Sequence, residues 1–241
     1  MAVVVVAVGG ASTSTAREAT KPLAVQLILD ELGGLNPRLE SVIERLQSGR
    51  KPWEEEPELE SLSMLLDDIV KVLIPLVYGI PFEEWFSCFY KVDWWIDHIT
   101  EFIMPEQGDD PTVVLKEAAW DLGNASDRIA GFDERFLAPA TTTKNDEGLN
   151  AVREKLLALR KWINDLRDRI NKGYISVSDM LTEVWGIRAS KFQLVRYLPP
   201  VLGVPFEEWY RQLYELRYRL WEVNYRRACL TKGGDYPPRW P

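Results

Sequence analysis

The sequence predicts an all-α fold built on an internal duplication. Three observations carry this. Apolar residues recur at three- and four-residue steps through most of the chain. No segment sustains the alternation of a half-buried strand. Residues 74–90, IPLVYGIPFEEWFSCFY, match residues 198–214, LPPVLGVPFEEWYRQLY, at nine of seventeen positions with a constant offset of 124. The offset holds upstream, where Leu39, Val42, Arg45, Leu46 and Gly49 face Ile163, Leu166, Arg169, Ile170 and Gly173. Two tandem copies of a three-helix unit follow, joined by a linking helix and a flexible linker.

Element by element, a helix is expected at 14–32, closed by Gly33–Gly34. It follows an apolar arm, Val3–Val8, suited to packing on a partner subunit. The acidic unit spans 35–104, with helices at 36–48, about 58–77 and about 81–103. Residues 105–150 hold the linking helix, at 112–131, and a Thr/Pro/Gly-rich linker at 138–148. The basic unit spans 151–228, with helices at 151–171, about 178–197 and about 205–228. The tail, 229–241, reads as irregular. The third helix of each unit has a start signal. Gly79 and Gly203 suit the left-handed end of a preceding helix. Pro81 and Pro205 suit a first helical position. Glu83–Glu84 and Glu207–Glu208 place carboxylates in the first turn, against the positive helix end. These glutamates read as helix starters and not as a catalytic dyad.

Composition narrows the function. The chain has 241 residues, 46% of them hydrophobic, two cysteines and one histidine. A disulfide scaffold and a four-thiolate zinc site are excluded. No apolar run is long enough to span a membrane, so an intracellular, cytoplasmic protein is expected. Eighteen arginines against eleven lysines, with few glutamines, suit a thermophile. Glu54, Glu55 and Glu58 resemble the first half of the E-E-x-x-E pattern of all-α nucleotide pyrophosphohydrolases. Pro57 interrupts it and no E-x-x-D follows, so no metal or cofactor is expected. His98 has only Asp97 and Glu101 nearby in sequence, and Cys88 sits among Trp85, Phe86 and Phe89 as a buried thiol. No catalytic constellation results, and the chain reads as non-enzymatic.

The net charge of −8 divides unevenly. Residues 31–110 carry −12, residues 111–150 carry −3 and residues 151–241 carry +7. The basic unit holds Arg160 and Arg167 on its first helix. On its third, Arg211, Arg217, Arg219, Arg226 and Arg227 interleave with Tyr210, Tyr214, Tyr218, Trp221 and Tyr225. Arginine beside aromatic rings grips phosphate and stacks on bases. Between these segments, residues 178–198 resemble a helix-turn-helix, with Gly186 at the turn and Leu181, Trp185, Ile187, Phe192 and Val195 inward. The resemblance implies that Arg188, Ser190, Lys191, Gln193 and Arg196 face outward toward DNA. The leading expectation is nucleic-acid association through residues 151–241. The alternative is a structural or adaptor protein that associates through complementary acidic and basic units, with a protein partner or second copy meeting residues 31–110.

Overall fold

The structure is a computed structural model that describes residues 23–102, 110–144 and 146–231. Every regular element among them is helical. The arm at Val3–Val8 and the tail beyond Thr231 lie outside the described residues.

Helix α1 (Leu23–Gln47) continues through Gly33–Gly34 and Pro37. The expected break is absent because Val25, Ile28, Leu32, Leu35, Leu39, Val42 and Leu46 form one buried stripe at three- and four-residue steps. Burying that stripe outweighs about 1 kcal/mol per helical glycine. Helix α2 (Glu56–Asp68) passes into a wider π-type turn, Ile69–Leu73. Helix α3 (Phe82–Asp97) ends the same way at His98–Phe102. Helix α4 (Pro111–Phe132) starts on the Asp110 carboxylate, which accepts from the Thr112 N–H at 2.8 Å. It passes through a π-type turn, Asp133–Leu137, into α5 (Ala138–Lys144). The expected linker is therefore mostly helical. Its threonines do not disrupt it, because the hydroxyls of Thr141, Thr142 and Thr143 donate to carbonyls four residues back. Helix α6 (Glu147–Asn171), α7 (Val177–Arg196) and α8 (Phe206–Thr231) complete the fold.

Local geometry recurs at the sequence offset. The buried stripe of α6 is Leu149, Val152, Leu156, Leu159, Ile163, Leu166 and Ile170, which is the α1 stripe raised by 124 throughout. In α2 and the turn that follows it, Leu59, Leu62, Leu66, Ile69 and Val70 are buried. Raised by 125 they become Val184, Ile187, Lys191, Leu194 and Val195, all buried in α7. The offset returns to 124 at Ile74 and Leu198. The π-type turn at Ile69–Leu73 lies where that extra residue must be absorbed, since such a turn takes one more residue than an α-turn.

The Pro-Phe-Glu-Glu-Trp segments also share a device. Tyr78 and Gly79 both have positive φ, as do Leu202 and Gly203, and each pair reverses the chain between bridged residues, Val77 with Ile80 and Val201 with Val204. Gly79 and Gly203 thus sit in tight turns and not at helix ends. Pro81 caps α3 from just outside its first turn, one residue earlier than expected. The indole N–H of Trp85 donates to the Val77 carbonyl at 3.1 Å, and that of Trp209 to Val201 at 3.0 Å.

The third helices run side by side in the same direction. Phe82 meets Phe206, Phe86 meets Tyr210 and Tyr90 meets Tyr214, with ring centroids 5.1, 5.7 and 5.6 Å apart. Each partner is the residue 124 positions on. The two helices also exchange part of their supports. Helix α8 packs on α1 and α2 as well as on α7 of its own segment, while α3 packs on α4, on α7 and on its own turn Ile69–Leu73. Each three-helix segment therefore completes the other, and one hydrophobic core runs through both.

Candidate functional site

The exchange brings the acidic and basic segments face to face, and their charges meet there. Helix α3 carries Asp93 and Asp97 on its inner side because they fall between the apolar positions Phe89, Val92 and Ile96. Helix α7 offers Lys191, which occupies a position on its buried stripe filled by Leu66 in α2. Lys191 is 1% exposed, and its ammonium pairs with Asp93 and donates to the Tyr210 hydroxyl at 3.3 Å. The Tyr210 hydroxyl also donates to Asp93, and the Tyr214 hydroxyl donates to Asp97. Arg188 lies 3.1 Å from Asp97. Burial drives the Lys191 ammonium below its ordinary range, against the pull of Asp93. Burial and the neighbouring carboxylates hold the Tyr210 and Tyr214 phenols well above theirs.

Further out, the same seam closes with Arg217 on Asp67, Arg219 on Glu40 and Asn36, and Arg227 on Glu56 at 3.1 Å. Five of the twelve residues expected to meet nucleic acid thus pair with acids of segment 31–110. Two more pair within their own segment, Arg196 with Glu207 and Arg226 with Glu222. Arg160 and Arg167 turn toward α4, the first 3.4 Å from the Ser126 hydroxyl, the second packed over Gly123. Ser190, Gln193 and Arg211 are exposed.

The helix-turn-helix reading of residues 178–198 is corrected. Helix α7 is unbroken, and Met180, Val184, Ile187, Lys191 and Leu194 form one buried stripe along it. Trp185 and Phe192, expected inward, are exposed, and Lys191, expected outward, is buried. Gly186 serves helix contact and not a turn. A Cβ there would lie 2.8 Å from the Trp162 ring. That ring is held by its N–H, which donates to Glu183 at 3.0 Å. Glu183 also takes Arg169, whose hydrogen bond keeps the carboxylate below its ordinary range.

The other candidate groups have structural partners. Glu55 is buried and accepts from Arg45, with Arg50 at 3.0 Å, while Glu58 takes Arg38. His98 meets Asp121 across 2.7 Å, a carboxylate its own sequence neighbourhood does not reveal. Burial raises the Asp121 carboxyl and pushes the Cys88 thiol up to about 12. Among the described residues, no group of three His, Cys, Asp or Glu side chains is placed to hold a metal, and no helix is long and apolar enough to cross a membrane.

Among the described residues, two of the concavities combine aromatic rings with cations. A groove of about 530 Å³ lies between α3, α4 and α8, lined by Tyr90, Lys91, Trp94, Trp95, Asn124, Arg128 and Trp221. Its signal was available in sequence as Lys91–Trp95 and Trp120–Asn124–Arg128, each at helical spacing of four. A second depression, of about 300 Å³ between α6 and α7, carries Lys155, Trp162, Ser190, Gln193 and Tyr197. The Lys155 ammonium there sits 4.3 Å from the Tyr197 ring centre. No family model matches the chain, and no curated protein or solved structure is significantly similar to it.

Proposed function

We propose that the chain is a non-enzymatic structural or adaptor protein made of two copies of one three-helix unit, in which the acidic copy is the counter-surface of the basic one. The observation that carries this reading is the seam. Lys191, Arg188, Arg217, Arg219 and Arg227 all find their carboxylates in segment 31–110. Complementary units of this kind either chain molecules together or close within one molecule. Here the closure lies within one chain, so partners meet the outer helix faces and not the seam. Light scattering across a salt series tests this. A mass of 27.8 kDa at both low and high salt is expected. A mass that grows as salt is lowered would place the complementary contact between chains and refute closure.

Nucleic-acid association is a second reading, and one observation favours it. Lys155, Ser190, Gln193 and Tyr197 gather a cation, a ring and two polar side chains around the α6–α7 depression. Such a mixture suits backbone and base contacts. Filter binding of single- and double-stranded DNA and RNA at low salt tests it. Retention that falls steeply with salt and with Lys155→Glu is expected. No retention of any of the four overturns it.

A further inference from the structure

We propose that the tryptophan-walled groove between α3, α4 and α8 is a binding site for a small aromatic anion, a flat ring bearing a phosphate or carboxylate. The inference is separate from the adaptor reading, since none of the groove's lining residues makes an ion pair of the seam. Its volume, about 530 Å³, falls in the range of small-molecule sites. Tyr90, Trp94, Trp95 and Trp221 are each half-buried, with ring faces or edges turned into the groove wall. Trp94 and Trp221 meet edge to face, centroids 4.5 Å apart, and Trp95 meets Trp120 in the same manner at 5.1 Å. These contacts hold the rings in fixed orientations, which favours stacking of a flat ligand.

The polar groups choose the charge. Lys91 and Arg128 line the groove, and among the described residues no carboxylate does. Arg128 is positioned by Nη2, which donates to the Ser87 hydroxyl at 2.9 Å. Its Nε and the Asn124 Nδ2 are buried donors with no hydrogen-bond partner. Buried donors normally have one. Two cations beside four aromatic rings, with no carboxylate in the lining, fit one ligand chemistry, a ring with an anionic group.

The intact chain is titrated by calorimetry and tryptophan fluorescence with adenosine monophosphate and with naphthoate. Adenosine and naphthalenemethanol serve as uncharged counterparts. Binding of at least one anion is expected, at least tenfold tighter than its counterpart. Adenosine monophosphate alone would assign the phosphate class, and naphthoate alone the carboxylate class. Arg128→Gln should weaken binding about tenfold to a hundredfold, the range for loss of a charged hydrogen bond. Lys91→Glu, an exposed position, should weaken it without altering the fold. Trp53→Ala, at an exposed ring away from the groove, should leave it unchanged. The proposal is overturned if neither anion binds. It is equally overturned if the counterparts bind as well, or if both charge variants leave affinity unchanged while remaining folded.

Discussion

Replacing Lys191 with methionine removes the ammonium at the centre of the seam while keeping most of its volume. Asp93 then stays buried, 4% exposed, without its cation. Breaking a buried ion pair from one side costs about 3–5 kcal/mol. Here the Tyr210 hydroxyl still donates to Asp93, so the lower end, about 3 kcal/mol, applies. For a chain of this length that lowers Tm by about 6–12 °C. The triple variant Lys191→Met, Asp93→Leu, Tyr210→Phe removes the ammonium together with both of its hydrogen-bond partners, leaving none of the three orphaned. Such replacements are often neutral or stabilising by about 1–4 kcal/mol. Urea denaturation of the wild type and both variants, with m unchanged, reads the difference. A single variant that loses under about 1 kcal/mol, or a triple variant that loses as much as the single, would contradict a buried ion pair at this site.

Gly186→Ala should destabilise by up to about 2 kcal/mol, because overpacking against Trp162 costs about 1–3 kcal/mol and the helix gain returns only about 1; a stabilised variant in the same urea assay would contradict this. Trp85→Phe and Trp209→Phe should each lose about 1–2 kcal/mol, matched to within about 0.5, since each gives up one indole bond to a turn carbonyl that keeps its backbone partner. A large inequality between them would separate the two turns. The pH dependence follows from the buried phenols. Tyr90 is raised to about 12 by burial, and burial and the Asp93 and Asp97 carboxylates raise Tyr210 and Tyr214 well above the ordinary phenol value. A raised folded-state pKa gives stability that is whole below the unfolded value near 10 and is lost as pH rises through the folded value. Lys191, lowered in the fold, acts the other way, but only up to its unfolded value near 10.5. Denaturation midpoints should therefore fall from about pH 10.5 to 12, with tyrosinate absorbance from these residues rising as helicity is lost. Flat midpoints over that range would refute it.

Much of the helix layout is legible in the sequence, because long apolar stripes dictate it. The expected linking helix at 112–131 differs by a residue at each end from Pro111–Phe132. Breaker residues misled where a stripe continued past them. Gly33–Gly34 did so in α1, Gly186 in α7 and the Thr/Pro tract in α5. The crossing of α8 onto α1 and α2 was not legible, since α3 and α8 present nearly the same apolar residues. The divergence of charge was its trace. A lysine on the stripe Met180–Val184–Ile187–Lys191–Leu194 calls for a buried acid, and Asp93 and Asp97 stand on the matching side of α3. Split charge points to an external anion only where the basic residues form a free surface, and on these helix faces five of the twelve meet carboxylates of segment 31–110.

One hydrophobic core spans both three-helix segments, so that each completes the other within one chain. Cutting the chain at position 145, between α5 and α6, and preparing residues 1–145 and 146–241 as separate polypeptides tests it most directly. Circular dichroism should find each half without a cooperative thermal transition. Mixing should give a one-to-one complex that melts cooperatively and is weakened by Lys191→Met. Two halves that each melt cooperatively alone, or that stay apart when mixed, would contradict the interlocked core.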